Sequence, residues 1–268
     1  MRRSRITAYV TSLLLAVGLA LTGAATAQAR TAAATGYVAL GDSYSSGVGA
    51  GSYISSSGDC KRSTKAYPYL WSAAHSPSSF AFTACSGART GDVTANQLGP
   101  LSSSTGLVSI SIGGNDAGFS DVMTTCVLQS ESSCLSRIAT AKAYVDSTLP
   151  GKLDSVYSAI SAKAPAAHVV VLGYPRFYKL NGSCLTGLSE TERSAINGAA
   201  DYLDSATARR ATAHGFSFAD VRGTFTGHEI CSGDAWLHSL NWLNIGESYH
   251  PTAAGQSGGY LPAFTGAV

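Results

Sequence analysis

Residues 37–43 read Tyr37-Val38-Ala39-Leu40-Gly41-Asp42-Ser43. Four apolar residues stopped by a glycine and two turn-forming residues spell a short buried strand followed by a tight turn. The pattern recurs. Phe80 to Ala84 ends at Cys85-Ser86-Gly87, and Leu107 to Ile112 ends at Gly113-Gly114-Asn115-Asp116. His168 to Leu172 reads as a strand covered on both faces, and Phe216 to Val221 as a fifth. Helical stretches lie between them: Ala66 to His75, interrupted early by Pro68; Asp92 to Leu98; about Ser133 to Lys163; and Ser189 to His214. In the third, Ile138, Ala141, Val145, Leu149, Leu153, Val156 and Ile160 recur at three- and four-residue steps, and Pro150-Gly151 is expected to kink or split it. In the fourth, Ser189 and Glu192 stand at capping-box spacing. Ser45 to Thr64 is a Ser- and Gly-rich loop, a longer loop carries Trp236 and Trp242, and Thr252 to Leu261 is a glycine-weakened helix. Strands alternating with helices give an α/β fold with a parallel sheet. Ligands in such folds sit outside the carboxyl ends of the strands, where the glycine turns fall. Residues 35–268 show no linker, repeat or break in composition, so they are expected to form a single domain.

The chain has 268 residues, of which 45% are hydrophobic and 13% charged, with a formal net charge of +2. That hydrophobicity excludes disorder, and so slight a basic surplus excludes a dedicated nucleic-acid binder. The first residues stand apart. Arg2, Arg3 and Arg5 precede an apolar run from Ile6 to Leu21, and Ala27-Gln28-Ala29 supplies small residues in an A-x-A arrangement. This is the pattern of a secretory signal peptide over residues 1–29, with a second cleavage position at Ala34. The apolar run is short for a bilayer, which needs about 20 such residues, so stable membrane insertion is not expected. Cleavage after Ala29 leaves 15 basic against 16 acidic residues, and cleavage after Ala34 also removes Arg30. The exported protein would then offer no net basic attraction to an anionic surface. Export also changes how Cys60, Cys85, Cys126, Cys134, Cys184 and Cys231 are read: an even number in an oxidising compartment favours disulfides. Sequence alone leaves the connectivity open. Pairing of neighbours, Cys60–Cys85, Cys126–Cys134 and Cys184–Cys231, is favoured because each bridge then staples a loop-rich stretch. No C-x-x-C pair suggests zinc.

The strand ends and the C-terminal region together supply a parts list for acyl transfer: Ser43, the Ser86-Gly87 turn, Asn115, and His250 within Glu247-Ser248-Tyr249-His250-Pro251. A serine hydroxyl attacks at neutral pH only with a base beside it, and imidazole suits that role. The oxyanion that forms needs preorganised donors, which a glycine N–H and an asparagine amide can provide.

These blocks resemble the SGNH (GDSL-type) hydrolases. Gly41-Asp42-Ser43-Tyr44-Ser45 is similar to their first block, Gly87 to the second, Gly113-Gly114-Asn115-Asp116 to the third and His250 to the last, in family order and across nearly the whole of residues 35–268. The resemblance implies a flavodoxin-like three-layer α/β/α sandwich with a central five-stranded parallel sheet. It implies Ser43 as nucleophile, His250 as general base and acid, and an oxyanion hole of the Ser43 N–H, the Gly87 N–H and the Asn115 side chain. It implies no metal or organic cofactor. Secreted actinomycete lipases, esterases and phospholipases are the nearest in kind, and their cysteines pair sequentially. One position departs from the pattern: the family's D-x-x-H has Glu247 in the aspartate's place. Glu247 and the Ser248 backbone carbonyl therefore stand as alternative partners for the second nitrogen of His250.

Other readings are blander. Asp42 and Asp116 are expected to bond backbone groups of their own turns. His75 and His214 sit at helix ends, His168 opens a strand, and His228 and His238 lie in the loop around Cys231. Arg89 anchors the loop after Gly87. Gly47-Val48-Gly49-Ala50-Gly51 lacks the strand, helix and lysine of a phosphate loop. Tyr44, Tyr53, Phe119, Tyr174, Phe177, Trp236 and Trp242 are candidates to line an acyl groove. The expected function is that of an extracellular, monomeric carboxylic ester hydrolase, foremost a lipase, with phospholipase A1 or B, carbohydrate acetyl esterase and thioesterase as alternatives. A secreted binding module that keeps the fold without chemistry is disfavoured by intact Ser43, Asn115 and His250. No long apolar lid helix is evident, so interfacial activation is expected to be weak or absent.

Overall fold

A computed structural model describes residues 35–184 and 187–268; the expected leader, with its ends at 29 or 34, lies outside them. Five strands, β1 (Gly36–Gly41), β2 (Ser79–Phe82), β3 (Thr105–Ser111), β4 (His168–Leu172) and β5 (Ser217–Ala219), form one sheet in the order β2-β1-β3-β4-β5. Every pairing is parallel, with Val38 opposite Val108 and Leu40 opposite Ile110. After β1 the chain goes to one side for β2 and then crosses to the other for β3. The crevice between the ends of β1 and β3 is therefore the switch point where α/β sheets bind ligands. Ser43 follows the first of these strands and Asn115 the second.

The sheet is flanked by helices. All six residues of β1 are buried, so both its faces are covered. On one face α2 (Tyr67–His75) and α8 (Leu261–Thr265) close over Tyr37, whose ring centroid lies 5.2 Å from that of Trp71 and 5.6 Å from that of Phe264. Its hydroxyl is within 2.7 Å of Ser109 Oγ. The apolar stripe traced along residues 138–160 is buried throughout, but over two helices, α5 (Glu131–Ser147) and α6 (Leu149–Lys163). The break falls at Thr148, and Pro150 lies in the first turn of α6, where its missing N–H costs nothing. Helix α7 (Glu190–Ala213) carries the expected capping box: Ser189 Oγ accepts from Glu192 N, and the Glu192 carboxylate accepts from Ser189 N.

Two segments depart from the sequence reading. Phe119–Leu128 is a helix, α4, built partly from Val, Thr and Cys, which are weak helix formers. It is joined to α5 by the Cys126–Cys134 bridge. The C-terminal helix passes through a π-helical turn at Gly255–Tyr260 and runs on to Thr265. The other disulfides are Cys60–Cys85 and Cys184–Cys231. Among the described residues, no helix is long and apolar enough to cross a membrane.

The end of β1 is fixed from the side. Gly41 has φ +122°, and a Cβ there would stand 2.5 Å from Ser111 O, so only glycine fits. Gln97, buried just past α3 (Thr90–Asn96), clamps it: Gly41 N–H donates to Gln97 Oε1 at 2.7 Å, and Gln97 Nε2 donates to Gly41 O at 2.9 Å. Gln97→Leu removes the side-chain acceptor of a buried N–H and should cost about 1–3 kcal/mol in urea unfolding. Wild-type stability would show that the clamp holds nothing.

Candidate active site

Asp42 follows Gly41 and is buried as a carboxylate acceptor. Oδ1 accepts from Tyr44 N at 3.0 Å and from Ser111 Oγ at 2.7 Å, and Oδ2 accepts from the Tyr174 hydroxyl at 2.5 Å. Burial raises its pKa to about 6 against the pull of these bonds. Asp42 caps the short helix α1 (Ser43–Ser46), whose first residue is Ser43.

Ser43 meets His250 from the far end of the chain: His250 Nε2 lies 2.8 Å from Ser43 Oγ. The other ring nitrogen, Nδ1, is 3.0 Å from the backbone carbonyl of Ser248. Of the two partners the sequence left open, the carbonyl occupies the position. Glu247 turns elsewhere and accepts from the Tyr53 hydroxyl at 2.6 Å, a bond that holds its carboxyl below the ordinary glutamate value. The reason is local geometry. Tyr249 takes a left-handed backbone (φ +67°), which folds the Ser248 carbonyl back under the imidazole two residues on. That unusual conformation is pinned by Tyr249 N–H donating to His238 O and by the Tyr44 hydroxyl donating to Tyr249 O. Burial pushes the imidazole of His250 down to about 4, opposed by the Ser248 bond. The ring is therefore neutral at pH 7 and able to accept a proton.

Three groups expected to donate to an oxyanion line the same cavity as Ser43 and His250. Among the described residues, the N–H groups of Ser43 and Gly87 have no hydrogen-bond partner. Asn115 donates one amide hydrogen to Ala88 O at 3.0 Å, which fixes the side chain and leaves its second hydrogen. Asp116 bonds Thr90 through both N–H and hydroxyl, tying the β3 turn to α3, and the Arg89 N–H donates to Asp92. The remaining histidines bond elsewhere: His75 to Trp71 O, His168 to Ala267 O, His214 to Asp154, His228 to Asp234 O and His238 to Gly49 O.

The cavity has a volume of about 540 Å³. Of the aromatic candidates, Tyr44, Phe119, Tyr174, Phe177 and Trp242 line it. Tyr53 instead holds Glu247, and Trp236 stacks on His228 and packs against Phe225. One long wall was not foreseen: α4 contributes Val122, Met123, Val127 and Leu128. The apolar spacing of those four residues is the only signal in the sequence that could have indicated it.

A serine hydroxyl engaged by a neutral imidazole, at the switch point of a parallel sheet and above an apolar cavity, is the arrangement of a serine ester hydrolase. Residues 39–257 match the GDSL-like Lipase/Acylhydrolase family, and the chain belongs to it. It is 80% identical, over the whole of both chains, to Lipase 1 of Streptomyces coelicolor. Its structure is similar to that of phospholipase A1 from Streptomyces albidoflavus NA297 (TM-score 0.86, 69% identity, 88% of this chain and 100% of that one). It is equally similar to the extracellular lipase of Streptomyces rimosus (TM-score 0.86, 68% identity, with the same coverage).

Two measurements check the site. Glu247→Ala should keep its kcat on a soluble ester within about tenfold, whereas loss of a true orienting carboxylate costs about 10⁴. A histidine-resolved NMR titration should place the midpoint of His250 near 4, and a midpoint at or above 6.5 would contradict the buried neutral ring.

Proposed function

We propose that this chain is a secreted lipase that hydrolyses acylglycerol esters through an acyl-serine intermediate. The observation that carries the reading is the 2.8 Å approach of His250 Nε2 to Ser43 Oγ beside a cavity lined largely by apolar side chains. In this reading Ser43 Oγ attacks the ester carbonyl carbon as its proton passes to His250 Nε2. The carbonyl oxygen becomes an oxyanion bonded by the Ser43 and Gly87 N–H groups and the Asn115 amide. His250 then gives the proton to the leaving alcohol, and water, activated by the same imidazole, releases the fatty acid.

The α4 wall supports a long apolar acyl group, and the rim of the cavity supports a lipid presented in bulk. Leu128, Trp242 and Ile245 are exposed there, and the adjacent Leu243 is 99% exposed. Secretion is supported by the basic, apolar and small-residue succession of residues 1–29 and by the three disulfides. A second reading, phospholipase A1, is favoured by the name of one close structural relative. Rates on triacylglycerols of graded chain length, measured beside phosphatidylcholine, separate the two. Ser43→Ala should lower kcat on every ester by about 10⁴–10⁶. Equal rates for variant and wild type would end the acyl-serine reading.

A further inference from the structure

Tyr174 is buried, and its hydroxyl does two things at once. It donates to Asp42 Oδ2 on the turn that carries Ser43, and it accepts from Gly114 N–H, at 3.2 Å, on the turn that carries Asn115. These turns leave different strands, β1 and β3, while Tyr174 follows β4. The tyrosine is itself held at both ends. Its N–H donates to Asp204 Oδ1 at 2.9 Å, and its ring meets that of Tyr44 edge-on at 5.0 Å. Gly114 makes room for it, since a Cβ there would lie 3.3 Å from both Tyr174 Cζ and the hydroxyl oxygen.

We propose that Tyr174 is a positioning residue that locks the Ser43 turn and the Asn115 turn in one register, so that their donors converge on one oxyanion. The inference rests on the acyl-serine reading above. A displacement of reacting groups by about 1 Å can cost about a hundredfold in rate, so a single hydroxyl spanning both turns has kinetic weight. The tyrosine's proton goes to Asp42, so Asp42 must accept, and it does so best when ionised. Asp42 therefore reports the brace. Its ionised form is favoured by donation from Tyr174, Ser111 and the backbone of the following turn, against burial. The titratable groups facing it are Tyr44 on α1, Tyr67 on α2, Tyr260 in the π-helical turn and Tyr174, with Asp204 of α7 behind. Burial raises all four tyrosines, which stay neutral between pH 5 and 9, roughly the working range for such a profile.

The test is Tyr174→Phe, which keeps the ring and removes the hydroxyl, assayed on a soluble p-nitrophenyl ester. The kcat should fall by about ten- to hundredfold with KM little changed. Losing a donor makes the Asp42 carboxylate harder to ionise. The acid limb of kcat/KM, expected near pH 6 in wild type, should therefore move up by about one pH unit, so the deficit is larger at pH 6.5 than at pH 8.5. Gly114→Ala, which presses on the same hydroxyl from the other side, should reproduce the shift. Asp42→Asn, which cannot titrate, should remove the limb near pH 6 both alone and with Tyr174→Phe, leaving only the fall set by His250 near 4, and so separate Asp42 from Asp204. Unchanged kcat and limb in Tyr174→Phe would overturn the brace. So would a lower kcat with an unmoved limb, which is what a packing role gives. Activity surviving Ser43→Ala would instead overturn the underlying acyl-serine reading and the brace with it.

Discussion

A carboxylate buried at the end of β1 has to find its hydrogen bonds inside the protein, because an ionised group taken out of water without partners is severely penalised. Asp42 finds them in separate segments: the backbone of its own turn, Ser111 at the end of β3, and Tyr174 beyond β4. Satisfying one side chain thus gathers the carboxyl ends of three adjacent strands. Ser45 extends the same network, with its hydroxyl 2.8 Å from Ser111 Oγ and accepting from Ser111 N–H. Ser43 is the next residue after this anchor, so its placement is inherited from the packing of the sheet.

The site divides into a polar end and an apolar end with different supports. The polar end rests on the strands and on the short bonds just described. The apolar end rests on α4, stapled to α5 through Cys126, and on a loop at residues 240–246 whose bulky side chains face solvent. Chemistry needs the first to be rigid. Accommodation of varied acyl chains asks only that the second be greasy and reachable, and a helix packed and bridged onto α5 beside a solvent-facing loop meets that demand.

Much of this arrangement was legible in the sequence because it depends on local signals. Gly41-Asp42-Ser43 and Gly113-Gly114-Asn115-Asp116 are turns written in glycine and short polar residues, and the strands before them are apolar runs, so these residues alone mark the crevice at the strand ends. The buried stripe from Ile138 to Ile160 followed from periodicity, although its division at Thr148 did not, since a proline in a first turn and a proline at a kink look alike. Helix α4 was missed because its residues have weak intrinsic preference and it is held by tertiary contacts and a disulfide. The partner of His250 stayed ambiguous because a backbone carbonyl leaves no mark in a sequence. The reach of the Tyr174 hydroxyl was invisible for a related reason: its partners lie 132 and 60 residues away, and only the order of the strands brings them together.

The Ser248 carbonyl has one more implication. Every amino acid carries a carbonyl, so the acceptor facing His250 Nδ1 cannot be deleted by changing the side chain at 248. What can be lost is the shape that aims it. The demand moves from the identity of an acid to the conformation of Tyr249, a bulky residue kept in a left-handed backbone. In evolutionary terms the vulnerable points are then the contacts that keep Tyr249 folded over, the hydroxyl of Tyr44 and the backbone of His238. Exchange of Glu247 would cost its bond to Tyr53 but would leave the acceptor facing His250 in place.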